Sequence, residues 1–80
     1  MNRTNKPPDN AADEILLRIG LRVRELRKKQ EKNYEAFARF NNLNKVTLQR
    51  LETGQNFTMK SLIVTLDSLG ISLKDFFRDL

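Results

Sequence analysis

The chain has 80 residues, with 15 Lys and Arg against 10 Asp and Glu and a formal charge of +5, enough for one small domain with a thin core. It contains no Cys and no His, which removes a disulfide framework, a thiolate zinc site, the commonest metal ligand and the usual general base. No acidic cluster is spaced for a metal and no apolar run reaches the roughly 20 residues of a membrane span, so the expectation is a soluble, cytoplasmic protein, not an enzyme, without metal or cofactor.

Residues 1–12 are polar, hold Pro7-Pro8 and lack an apolar signal segment; they read as a flexible N-terminal arm before a domain over 13–80. From about Asp13 to Gln30, Ile15, Ile19, Val23 and Leu26 recur at spacings of four, four and three, which predicts an amphipathic helix. Leu16, Leu17 and Leu21 widen its apolar face, and the cations Arg27, Lys28 and Lys29 in its last turn complement the helix dipole. Asn33 then reads as the N-cap of a short helix from Tyr34 to Phe40. Asn41-Asn42 breaks the pattern, and Asn is the side chain that best tolerates a left-handed backbone.

Asn44 caps a third helix, Lys45 to about Glu52, with Leu48 and Leu51 turned inward and Gly54 as its left-handed stop. Thr58 or Lys60-Ser61 opens a fourth, whose stripe is Met59, Leu62, Leu66 and Leu69 and whose end is Gly70. Ser72-Leu73-Lys74-Asp75 is a capping-box pattern that opens a fifth, carrying Phe76, Phe77 and Leu80. Five helices and no strand make the expected fold class all-α.

The charge is localised. Residues 15–54 carry net +6, residues 1–14 net −1, and residues 55–80 are neutral. A basic block of this kind suits a phosphate-facing surface, because Lys and Arg release condensed counterions there. A solvated helix face kept basic for solubility carries the same charge. Phe37 to Gly54 adds chemistry to the block. Two short helices meet across a tight turn, with small Ala38 at their approach and Leu43 at the corner. The outward face of the second helix is then Lys45, Val46, Thr47, Gln49 and Arg50. That inventory can read base edges in a major groove: Arg or Lys for guanine, Gln for adenine, and a branched methyl for thymine. The pattern is that of a helix-turn-helix.

The stretch from Ile19 to Phe77 resembles the phage repressor/Cro-like (XRE-type) helix-turn-helix domain. Ile19 to Arg27 is similar to that family's first helix. Phe37-Ala38 takes the place of its Leu-Ala, and Leu43 to Gly54 resembles its recognition segment, including the terminal Glu-x-Gly. Leu62 to Leu69, Gly70 to Leu73 and Phe76-Phe77 are similar to its closing helices. The chain departs from the family at Glu31-Lys32-Asn33-Tyr34, where Gly and Ser/Thr-Gln are usual, and at Asn42, where the turn usually has Gly.

The resemblance implies a compact five-helix, lambda-repressor-like domain. It also implies a sequence-specific, DNA-binding transcriptional regulator that binds a roughly palindromic operator as a homodimer through recognition helix 45–52. Lys45, Val46, Thr47, Gln49 and Arg50 would read bases, while Asn33, Tyr34, Thr53 and Asn56 would meet phosphates. Tyr34 could also be a partly buried aromatic over the helix junction. Arg27 and Glu52 would form a structural ion pair, or remain two separate surface charges. Ile63, Ile71, Phe76, Phe77 and Leu80 are the expected dimer contacts. One of the adjacent phenylalanines would close the core and the other face the partner. Double-stranded DNA and a second copy are the expected partners, with no membrane and no evident small-molecule effector. The alternative is a protein-interaction module of the same fold, antitoxin-like or an adaptor, that does not read DNA.

Overall fold

A computed structural model describes residues 9–80. These residues form five α-helices and no strand: α1 (Asp9–Gln30), α2 (Tyr34–Phe40), α3 (Lys45–Glu52), α4 (Met59–Leu69) and α5 (Leu73–Arg78). The fold is all-α, as the residue pattern predicts. Residues 1–8 of the expected arm lie outside the described residues.

The starts of α2 to α5 are set locally. Asn33 Oδ1 accepts the Ala36 amide at 2.9 Å, and Asn44 Oδ1 accepts those of Val46 and Thr47 at 2.9 and 3.0 Å. Thr58 Oγ1 accepts the Ser61 amide and Ser72 Oγ that of Asp75, both at 3.0 Å. Each bond satisfies an amide that no helical carbonyl reaches. Between α2 and α3, Asn42 has φ 56° and is left-handed, as its place in the turn requires. The Leu43 amide then reaches back to the Ala38 carbonyl at 2.7 Å, which closes the turn.

The start of α1 differs from expectation. It begins at Asp9, so residues 9–12 are helix and not arm. Ala11 and Ala12 are strong helix formers. Local propensity therefore carries the helix beyond the core. The 22 residues of α1 span about 33 Å, longer than the bundle can cover. Ile15, the first member of the predicted stripe, stays 52% exposed, and Leu17 and Leu21 are exposed as well.

The core consists of Ile19 and Val23 from α1, Phe37 and Ala38 from α2, Leu48 and Leu51 from α3, Leu62, Leu66 and Leu69 from α4, and Phe76 from α5. Leu26, Tyr34, Leu43, Phe57, Ile71 and Leu80 pack around it half-buried. Two glycines set how closely α1 approaches α3. A Cβ on Gly20 would lie 2.4 Å from the Leu51 carbonyl oxygen and 2.8 Å from that of Glu52, so only glycine admits this contact. Gly54, at φ 77°, ends α3 and lies against the α1 backbone, where a Cβ would come within 2.8 Å of Leu17 Cα.

Polar ties complete the bundle. Gln30 Nε2 donates to the Leu69 carbonyl at 3.0 Å, joining α1 to α4. Arg22 Nε donates to the Phe76 carbonyl at 3.1 Å and Arg18 Nη2 to that of Leu80 at 2.7 Å. These two cations sit at the negative end of the α5 dipole and fasten the last helix to the first.

Candidate nucleic-acid interface

Successive residues of α3 are about 100° apart around its axis, and burial divides them cleanly. Leu48, Leu51 and Glu52 are buried and lock the helix against α1 and α2. The opposite side carries Val46, Gln49 and Arg50, all exposed, with Val46 51% exposed. Lys45 flanks this face toward α2. Thr47 flanks it on the other side, half-buried, in a recess of about 230 Å³ shared with Leu43, Lys60 and Val64. The structure thus places four of the five expected base readers on open surface and the fifth, Thr47, at its edge.

Beneath this face lies the Arg27–Glu52 pair. Arg27 Nε and Nη2 donate to the two Glu52 oxygens at 2.8 and 2.6 Å. Arg27 Nη1 also donates to the carbonyls of Glu31 and Lys32, at 3.2 and 2.7 Å. Arg27 is 4% exposed and Glu52 7%, so this is a buried two-toothed ion pair rather than two surface charges. It fastens α1 to the end of α3 and draws in the chain that leads to α2. The hydrogen bond to Glu52 is the main cause that holds the Arg27 guanidinium above its ordinary pKa.

Lys45 has a partner that the sequence pattern did not supply. Its Nζ donates to Glu35 Oε2 at 2.9 Å, from the first turn of α3 to the first turn of α2. This hydrogen bond, reinforced by the opposite charge, lowers the Glu35 carboxyl below its ordinary value and raises the Lys45 ammonium above its own. Both groups are exposed. The signal was present as opposite charges opening two helices that a tight turn brings together. Gly20 was also legible in principle: a glycine inside a long helix is about 1 kcal/mol worse than alanine, so it marks a packing demand.

The expected phosphate contacts fall into different situations. Asn33 is exposed, but its Oδ1 is committed to capping α2. Tyr34 packs half-buried against the core while also lining an open recess of about 210 Å³ with Arg24, Gln49 and Thr53, floored by Arg27 and Glu52. Thr53 Oγ1 donates to the Gln49 carbonyl at 2.7 Å and accepts from Gln55 Nε2 at 3.1 Å, so its proton is held by its own helix. Asn56 is exposed in the α3–α4 loop.

Among the expected dimer contacts, Phe76 requires correction. It is fully buried, and α5 can turn only one of two adjacent residues inward, so Phe77, 39% exposed, is the outward ring. The two rings meet edge to face, with centroids 5.1 Å apart. Ile63 is exposed, whereas Ile71 and Leu80 are half-buried against the core. Val64 and Leu73 add further exposed apolar surface to α4 and α5.

Comparison of the chain with protein-family models, with curated proteins and with solved structures returned no match. The chemistry must therefore be read from the residues. Among those described, no helix is long and apolar enough to cross a membrane. The α3 face offers cationic, amide and methyl groups on a helix that is rigidly held from beneath.

Proposed function

We propose that this chain is a sequence-specific, DNA-binding transcriptional regulator of the phage repressor/Cro-like kind, which works in the cytoplasm as a homodimer. The observation that carries this reading is the division of α3. A short helix is locked by Leu48, Leu51 and the Arg27–Glu52 pair, and it exposes Val46, Gln49 and Arg50 together on one side. That set can hydrogen-bond guanine and adenine edges and contact a thymine methyl in a major groove. The net +6 of residues 15–54 falls in the segment of the chain that contains this helix.

A second copy follows from the size of the reading head. One short helix covers only a few base pairs, and discrimination against a genome of competing sites needs two half-sites. Two-fold symmetry then asks for a roughly palindromic operator with half-sites about one helical turn apart. The neutral segment 55–80, with Ile63 and Phe77 exposed, suits the contact between copies because its net charge adds no repulsion.

Selection of bound sequences from random duplex, followed by salt titration, tests the proposal. The expected result is an inverted-repeat consensus whose affinity falls steeply with salt. Arg50→Ala should lose on the order of 1–3 kcal/mol at one base-pair position of each half-site and relax the preference there. If no duplex is enriched and none binds at low ionic strength, the DNA-reading function is wrong.

A further inference from the structure

The recess at the Thr47 edge of α3 has no role in the reading above. It lies where the α2–α3 turn, α3 and α4 meet, and it holds about 230 Å³. Leu48 and Thr65, both buried, form its floor; half-buried Leu43 and exposed Val64 form its walls. An apolar cavity of about 150 Å³ takes a benzene, so this one has room for a single ring with a small substituent. Pockets for drug-sized ligands start at roughly 300 Å³, which restricts the occupant to something smaller. The residue pattern announces no such site, because its lining comes from three elements that are separate in the chain.

The polar groups around the recess select the charge of that molecule. Lys60 is the one charged residue among those that line it, and no carboxylate of the described residues pairs with it. Several of the other polar groups are already engaged. Asn44 Oδ1 caps α3, the Thr65 hydroxyl donates to the Ser61 carbonyl at 2.8 Å, and the Ser61 and Thr58 hydroxyls bond each other at 2.8 Å. What remains for a ligand is chiefly donation, from the Lys60 ammonium, the Asn44 side-chain NH₂ and the Thr47 hydroxyl. Apolar walls with an unpaired cation and donors beside them match a small molecule that has an apolar body and one carboxylate. A cationic ligand would meet Lys60, and a neutral one would leave its charge unmatched.

We propose that this recess binds a small aromatic monocarboxylate, with the ring against Leu43, Leu48 and Val64 and the carboxylate on Lys60, and that the bound ligand weakens the hold of α3 on DNA. The second half rests on the DNA-binding reading above; the first does not. The coupling is electrostatic and local. The carboxylate cancels one positive charge and places a negative group beside Thr47, at the edge of the face that meets a polyanion.

The probe is benzoate, with benzamide as its uncharged analogue of the same shape. In an NMR titration of the full chain, benzoate should give saturable shifts at the Thr47 amide and at the Leu43 and Val64 methyls. A ligand of this size binds with a Kd on the order of 1 mM. Benzamide should bind at least about tenfold more weakly. Lys60→Met, at an exposed position, should keep its circular dichroism spectrum and bind the two probes equally. No saturable shift in wild type, equal binding of the two probes by wild type, or a preference for benzoate that survives Lys60→Met overturns the site.

The coupling is read on the selected duplex at constant ionic strength. Saturating benzoate should raise the duplex Kd of wild type by about fivefold or more and leave that of Lys60→Met unmoved, and the duplex should weaken benzoate by the same factor. A wild-type duplex Kd that does not respond to benzoate overturns the coupling. Benzoate bound through Lys60 by a protein that binds no duplex upholds the site and refutes the DNA reading. Duplex binding with no benzoate shift does the reverse.

Discussion

Removing one member of the Arg27–Glu52 pair should nearly unfold the protein, whereas removing both should not. Arg27→Met keeps much of the aliphatic stem and deletes the guanidinium, which leaves the Glu52 carboxylate 7% exposed with neither of its donors. The carbonyls of Glu31 and Lys32 lose their donor as well. Stranding one charge of a buried pair costs about 3–5 kcal/mol. A domain of this length has a total stability of only about 4–12 kcal/mol. With a urea dependence near 1 kcal/mol/M, the unfolding midpoint followed by circular dichroism should fall by about 3 M or more. Glu52→Leu should do comparable damage by stranding Arg27. Arg27→Met combined with Glu52→Leu leaves no buried charge and should recover most of the wild-type midpoint. A loss under about 1 kcal/mol in the single variants is what a solvent-screened surface pair would give. That result, or a double variant as unstable as the sum of the two singles, would refute the reasoning.

Three further outcomes follow from individual contacts. Gly20→Ala should lower the melting temperature although alanine is the better helix former by about 1 kcal/mol, because the new Cβ meets the Leu51 carbonyl oxygen at 2.4 Å; a stabilised variant would mean that α1 and α3 do not touch there. Phe76→Ala should cost about 3–5 kcal/mol in denaturant unfolding, while Phe77→Asp should keep its helicity but sediment as a monomer at micromolar concentration. A wild type that is monomeric both free and on DNA would remove the role given to Phe77. The Glu35 carboxyl, lowered by Lys45, contributes a small stabilisation that is present above its unfolded pKa and lost as pH falls through its lower folded value. Lys45→Met should return the Glu35 titration, followed by carboxyl carbon NMR, toward ordinary glutamate; an unmoved titration would show that the pair does not form in solution.

Local chemistry made much of the secondary structure legible before any contact was known. Asn33, Asn44, Thr58 and Ser72 each cap a helix within three residues of themselves, and a cap needs nothing from the rest of the fold. The left-handed residues Asn42 and Gly54 are likewise decided by their own backbone. The helical period assigned Val23, Leu48, Leu51, Leu62, Leu66 and Leu69 to the interior, where they lie. Other features depended on where a neighbouring element ends. The apolar period of α1 continues to Ile15, but the bundle stops short of it, so the residue stays exposed. Phe76 and Phe77 are equivalent in sequence, and only the direction from which α5 meets α4 and α1 buries the first. Arg27 and Glu52 could be suspected as partners from resemblance. Their burial came from the close approach of α1 to α3 that Gly20 permits. The pairing of Lys45 with Glu35 and the recess beneath Arg24 arose in the same way, from side chains on different helices whose meeting is decided by packing rather than by spacing along the chain.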